Sequence, residues 1–176
     1  MKKGALFLLY TLLFFGALIL FTPKESIYYF AEEQLRPLGV IIANEETLDH
    51  ALTLEIRDGD LYVQKIKSAD IGSATFCLLG LYNTVSVTDV VLDKTFEQLF
   101  PPLIRHIDLE QSLLDPLHLN ASASGDFGEA EASVNLLERT LTVLVKPSKL
   151  MLSRYKNTLG NLQKTKEGDY QYEYKF

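Results

Sequence analysis

Residues 117–145 read LHLNASASGDFGEAEASVNLLERTLTVLV, and their alternation decides the fold. Leu117, Leu119, Ala121 and Ala123 fall on one side of an extended chain, with His118, Asn120, Ser122 and Ser124 on the other. That is the period of two expected of a half-buried strand. Gly125-Asp126-Phe127-Gly128 supplies turn chemistry, after which Ala130, Ala132, Val134 and Leu136 resume the apolar side against Glu129, Glu131, Ser133 and Asn135. Glu138-Arg139 turns the chain into Leu141, Val143 and Val145, so the stretch predicts a three-strand meander with one apolar face.

Small residues dominate that face, so whatever covers it approaches closely: a packed helix, another strand layer, or an acyl chain if the face is left open. Leu117, Leu119, Ala121, Ala123, Ala130, Ala132 and Val134 are the residues expected to line this packing face or groove. Downstream, Leu150, Leu152, Tyr155, Leu159 and Leu162 form an amphipathic stripe that predicts a helix over 149–163, introduced by Pro147-Ser148. A polar loop at 164–169 follows, and Tyr170, Tyr172, Tyr174 and Phe176 alternate as an aromatic strand.

Upstream, Leu52, Leu54 and Ile56 alternate with Thr53, Glu55 and Arg57, and Leu61, Val63 and Lys65 with Tyr62, Gln64 and Ile66. Asp58-Gly59-Asp60 between them reads as the turn of a hairpin. Two further strands are predicted at 74–82 and 84–92, with Asn83 as the turn residue and Cys77 in a buried apolar run. Residues 94–114 contain Pro101-Pro102 and predict a mixture of helix, proline break and strand.

Residues 4–22, GALFLLYTLLFFGALILFT, are an uncharged run of 19, close to the ~20 residues that cross a ~30 Å hydrocarbon core as a helix. The run ends Leu20-Phe21-Thr22-Pro23 without a small-residue cleavage site, so an uncleaved anchor is expected rather than a signal peptide. Lys2 and Lys3 place the N-terminus in the cytoplasm. The predicted organisation is a cytoplasmic tail at 1–3, a membrane anchor at 4–22 and an exported domain at 23–176. In that domain Ile27, Phe30, Ala31, Leu35 and Leu38 make a short amphipathic helix closed by Pro37 and Gly39.

The fold class is therefore α+β, mainly β. A transmembrane helix and a short amphipathic helix precede a curved, mostly antiparallel sheet with a C-terminal helix and a final strand. An outer-membrane barrel is the rival that the aromatic final strand raises, but it would show ~10-residue lipid-facing strands with aromatic girdles. The anchor, the helical stretches and the inner alanines argue against it.

The chain has 176 residues and a net charge of −6, with 17 Lys plus Arg against 23 Asp plus Glu. Setting aside Lys2 and Lys3 leaves 15 bases against 23 acids beyond the anchor, hence −8. Such a balance opposes docking on anionic headgroups and gives nucleic acid no basic field to bind. Cys77 is the only cysteine, which excludes an internal disulfide and a thiolate zinc cluster.

His50, His106 and His118 are scattered, with no HxxxH spacing for a metal. The acidic pairs Asp58/Asp60, Asp126/Glu129 and Glu129/Glu131 sit where turns and solvated strand faces put acids. No GxSxG, P-loop or GxGxxG occurs. No catalytic residue, metal or cofactor is expected, and the partners expected from the residues are the membrane through 4–22 and, if the alanine face is left open, a lipid acyl chain.

The short Lys-Lys tail, the anchor, the amphipathic helix and the strand segments LTLEIRDGDLYVQKIKSADIG (52–72) and LNASASGDFGEAEASVNLLERTLTVLVKP (119–147) form one arrangement. It resembles the N component of bacterial type II secretion systems and, behind it, AsmA-like and LptC-like proteins whose exported sheets curve into an apolar groove. The resemblance spans most of the chain. It implies a bacterial inner-membrane protein that crosses once, with a periplasmic domain that supports an envelope machine or carries lipid. No individual site residue carries over from it.

Overall fold

The structure is a computed structural model that describes residues 2–78 and 82–176, apart from the side chains of residues 2–5, 19 and 78. Helix α1 covers Lys2–Phe21 and α2 covers Lys24–Leu35, followed by a 3-10 turn at Arg36–Leu38. Among the described residues no helix is long and apolar enough to cross a membrane. The anchor at 4–22 therefore rests on its sequence.

Among the described residues eleven strands follow, all in one sheet: β1 (Val40–Ala43), β2 (Glu46–Asp49), β3 (Thr53–Val63), β4 (Ile66–Leu78), β5 (Tyr82–Leu92), β6 (Leu103–Ser112), β7 (Asp115–Gly125), β8 (Gly128–Asn135), β9 (Thr140–Pro147), β10 (Gln163–Lys164) and β11 (Tyr170–Lys175). Their order is β1-β3-β4-β5-β6-β7-β8-β9-β11-β10, with β2 also on β3. Among the described residues every pairing is antiparallel. From β3 to β9 each strand pairs with the next, so most of the sheet is held by hairpins of neighbouring sequence.

The mainly-β expectation is met, and the 117–145 meander is β7-β8-β9. Several local readings are corrected. Asp58-Gly59-Asp60 is no turn: β3 runs through it, and the chain reverses at Gln64 and Lys65, whose φ values of 50° and 68° build a two-residue hairpin turn. Asn83 lies inside β5, paired with Leu78 and Gln111, and is not the turn residue. Residues 79–81 of the predicted 74–82 strand lie outside the described residues. Cys77 is half-buried opposite Thr53 and Thr84 on the polar face rather than in the core. The helix expected over 149–163 is two short ones, α3 (Lys149–Arg154) and α4 (Lys156–Leu159), interrupted at Tyr155 with φ −116° and ψ 34°. Pro147-Ser148 does lead into α3, and the Ser148 hydroxyl caps it by accepting from Met151 N–H.

In β3 and β5, Asp58 and Asp89 adopt left-handed φ values of 54° and stand on either side of Gly72 in β4. A Cβ on Gly72 would lie 2.9 Å from that of Asp89, so only glycine fits between them. One strand further, the β6–β7 register slips between Ile104 and His106. Along this line the side-chain alternation skips a residue. Ala74 and Ile71 both pack on the cluster of Tyr28, Leu54 and Ile56, although three positions apart in one strand. A strict period of two would have turned Ile71 to the opposite face.

The apolar face has two separate cores. Over β3 and β4, α2 inserts Tyr28 against Leu54, Ile56, Ala74 and Phe76. Lys24 Nζ, nearly inaccessible, reaches Asp49 at 3.9 Å, and Glu25 accepts from Thr47 at 2.6 Å. Over β7–β9, α3 and α4 bring Met151, Tyr155 and Leu159 onto Phe127, Ala123 and Ala130.

Gly128 closes the β7–β8 turn at φ 116°, where an added Cβ would sit 2.1 Å from the Lys146 carbonyl oxygen. Gly128→Ala should cost more than ~2 kcal/mol in urea unfolding. Gly160→Ala, at right-handed φ −63°, should stay within ~1 kcal/mol of wild type. Equal effects at both positions would contradict the tight approach at Gly128.

Candidate functional site

Cross-strand pairing resolves the sheet into rows. One row on the apolar face runs Leu54, Phe76, Val85, Leu109, Ala121, Ala132, Val143, Tyr172. The adjacent one runs Ile56, Ala74, Val87, Ile107, Ala123, Ala130, Val145, Tyr170. Between them on the other face lie Glu55, Thr75, Ser86, Asp108, Ser122, Glu131, Leu144 and Gln171. One face is thus continuously apolar across eight strands.

The seven residues singled out from sequence divide on this map. Leu119 pairs with Val134, Ala121 with Ala132 and Ala123 with Ala130, so these six share the apolar face. Ala123 and Ala130 lie under α3 and α4. Leu119, Ala121, Ala132 and Val134 belong to neither core, and nor do Val85, Leu109 and Val143 of the same face. Leu117 stands at the sheet's end, 42 % exposed. An apolar strip therefore runs from β5 to β9, beyond the α2 cover and beside the row that α3 and α4 cover, about 20 Å across at the usual strand spacing. Leu109 in it is 39 % exposed. Sequence reading missed Val85 and Leu109 as neighbours of the alanines, because the alternation in each strand does not say which rows align across several hairpins.

The polar face carries a shallow depression of about 420 Å³ lined by Asp108, Glu110, Asn120, Ser122, Glu131, Ser133 and Thr142. All three of its acids are engaged: Asp108 by the Ser86 hydroxyl at 2.6 Å and His106 Nε2 at 2.8 Å, Glu131 by Lys146 at 3.4 Å, and Glu110 by the Tyr82 hydroxyl. A hydrogen bond to Glu110 holds the Tyr82 hydroxyl proton, raising its pKa. Serine, aspartate and histidine do meet here, but Asp108 stands in the middle. Nucleophilic activation requires the imidazole between the hydroxyl and the carboxylate; here the hydroxyl proton points to the acid.

The other histidines pair separately, His50 with Glu55 at 3.7 Å and His118 with Asp115 at 2.7 Å. Among the described residues no three His, Cys, Asp or Glu side chains come together to hold a metal ion. Of the acidic pairs considered, Asp126 meets Arg105, and Asp60 is bound by Lys67 at 2.8 Å and Asn44 at 2.7 Å. Compared with known proteins, the chain matches no family model, no curated protein and no solved structure.

The Lys67 and Asn44 hydrogen bonds, the lysine's first, hold the Asp60 carboxyl down at about 2. A depressed folded-state value means that its stabilising contribution is present above the ordinary value of 3.8 and fades as pH falls toward 2. An NMR titration of the Asp60 carboxyl should give a midpoint near 2. Lys67→Met should move it up toward the ordinary value; an unmoved midpoint would remove the ammonium as the cause.

Proposed function

We propose that the chain is a non-enzymatic, single-pass protein of the bacterial inner membrane, anchored by residues 4–22, whose periplasmic sheet binds another subunit of a secretion or envelope-assembly machine. The observation that carries this reading is the asymmetry of the sheet's edges. On the β3 side, β1 and β2 are four residues each and α2 lies beside them. Short, interrupted edge strands are a device against pairing.

On the other side β10 covers only Tyr170 and Gln171 of β11. Phe176 N–H donates to Arg139 O, toward β9, so by the alternation of the ladder the peptide groups of Glu173 and Lys175 turn outward. Tyr172 and Tyr174, 42 % and 50 % exposed, flank them. An incoming strand finds backbone donors and acceptors there, with aromatic side chains to grip.

A second reading is favoured by the apolar strip that the helices leave uncovered: a lipid acyl chain laid over Val85, Leu109, Ala121, Ala132 and Val143. It requires no catalytic group and no charge.

A photo-crosslinking amino acid at Lys175 in the full-length protein should trap a discrete envelope protein in intact cells. Glu173→Pro removes an outward-facing N–H without touching the β9 ladder and should abolish the adduct; an adduct that persists in the proline variant overturns strand addition. A phospholipid with a diazirine at its acyl terminus should label peptides containing Leu109 or Val143 if the strip holds lipid. Labelling confined to 4–22 would dispose of the second reading.

A further inference from the structure

Two hairpin tips break the rule that tight turns are polar. The β6–β7 turn carries Leu113 and Leu114, 52 % and 91 % exposed, and the β8–β9 turn carries Leu136 and Leu137, 43 % and 76 % exposed. Their backbones are nonetheless satisfied. The Ser112 hydroxyl accepts from Leu114 N–H at 3.2 Å, and Asn135 Oδ1 accepts from Leu137 and Glu138 N–H, both at 3.0 Å. Polar side chains hold the turns in shape while the leucines point into solvent.

Both tips lie at the same end of the sheet, where β3 begins and β4, β6 and β8 finish. It is also the end from which α1 leaves. Lys24, the first residue of α2, meets Asp49, which pairs with Leu54 at the start of β3. Only Thr22 and Pro23 separate α1 from α2, a reach of at most about 11 Å. Two turns at the far end are built differently: β3–β4 presents Gln64 and Lys65, and β7–β8 tucks Phe127 into the core at 3 % exposure.

We infer that the β6–β7 and β8–β9 tips dock this end of the sheet onto the outer leaflet of the membrane that holds α1, inserting Leu114 and Leu137 below the headgroups. The inference rests on α1 being the anchor. Its partner is the lipid surface, and the attraction is apolar insertion. The net −8 beyond the anchor offers anionic headgroups nothing. Docking fixes the sheet upright and so sets the height at which the β11 edge is displayed. The far end also exposes Leu38, Ile66 and Leu99, at 68 %, 56 % and 60 %, but strands like the ten-residue β6 hold it about 30 Å away.

The chain contains no tryptophan, so single-tryptophan variants report without background. Leu114→Trp, Leu137→Trp, Gln98→Trp at the far end and Leu12→Trp in α1 are each reconstituted, full length, in phosphatidylcholine vesicles with or without acyl-chain bromine. Quenching and blue-shifted emission are expected at 114, 137 and 12 and not at 98, unchanged by high salt. Quenching at 12 without 114 and 137, or at 98 in their place, overturns the docking while leaving the anchor intact. No quenching at 12 overturns the anchor itself. The two tips report independently, so a variant that misfolds by circular dichroism leaves the other to decide.

Discussion

Asp58, Gly72 and Asp89 stand at one level of three adjacent strands, and the packing of the sheet depends on what happens there. An ideal strand gives every second residue to the core. Here two left-handed aspartates flank a glycine too crowded for any side chain, and the count shifts by one. Above the line Ala74 and Val87 face the α2 core; below it Ile71 does, and Val90 is buried at 6 % exposure. Without the shift, one half of each strand would present its apolar residues to water. The line then continues into β6 and β7 as the slip at Ile104, where Ile104 joins the second core under α3. A single defect, shared across neighbours, lets long strands keep one apolar face.

This is also where sequence reading went astray. Asp-Gly-Asp between two alternating runs has turn chemistry, and local chemistry alone assigns a hairpin. Whether a left-handed aspartate reverses a chain or shifts its phase is decided by the strands beside it. The converse holds at Gln64-Lys65, an unremarkable pair that makes the reversal because Val63 and Ile66 must pair. By contrast, the three strands of 117–145 were legible, since their turns contain glycine or follow an Asx residue and their pairing partners are sequence neighbours. Only Leu136, expected on the apolar side of a strand, lies instead in the turn after Asn135, 43 % exposed. Rows spanning more than one hairpin, such as Val85 with Leu109 and Ala121, depend on registers that no single strand encodes.

The helices complete this arrangement only in part. Tyr28 anchors α2 at one side, and burial together with the nearby Glu45 carboxylate raises its hydroxyl pKa, so it stays neutral. Met151 and Leu159, each 2 % exposed, anchor the other side. The interruption at Tyr155 shortens the second cover, and the strip left uncovered is lined mostly by alanine and valine. Small side chains there keep the exposed apolar area modest while leaving room above the backbone for something thin.

The blunted β1 and β2 edge has a consequence for stoichiometry. A sheet that can be extended on both sides is a monomer for a fibre, because every added copy restores the edge it consumed. Here a second strand finds a template beside Glu173 and Lys175 but not beside β1. Under the proposed strand addition, growth from copies of this chain would stop after one, the second turned head to head with the first. The blunted edge alone would then hold copies of this chain to a pair, without any residue dedicated to counting.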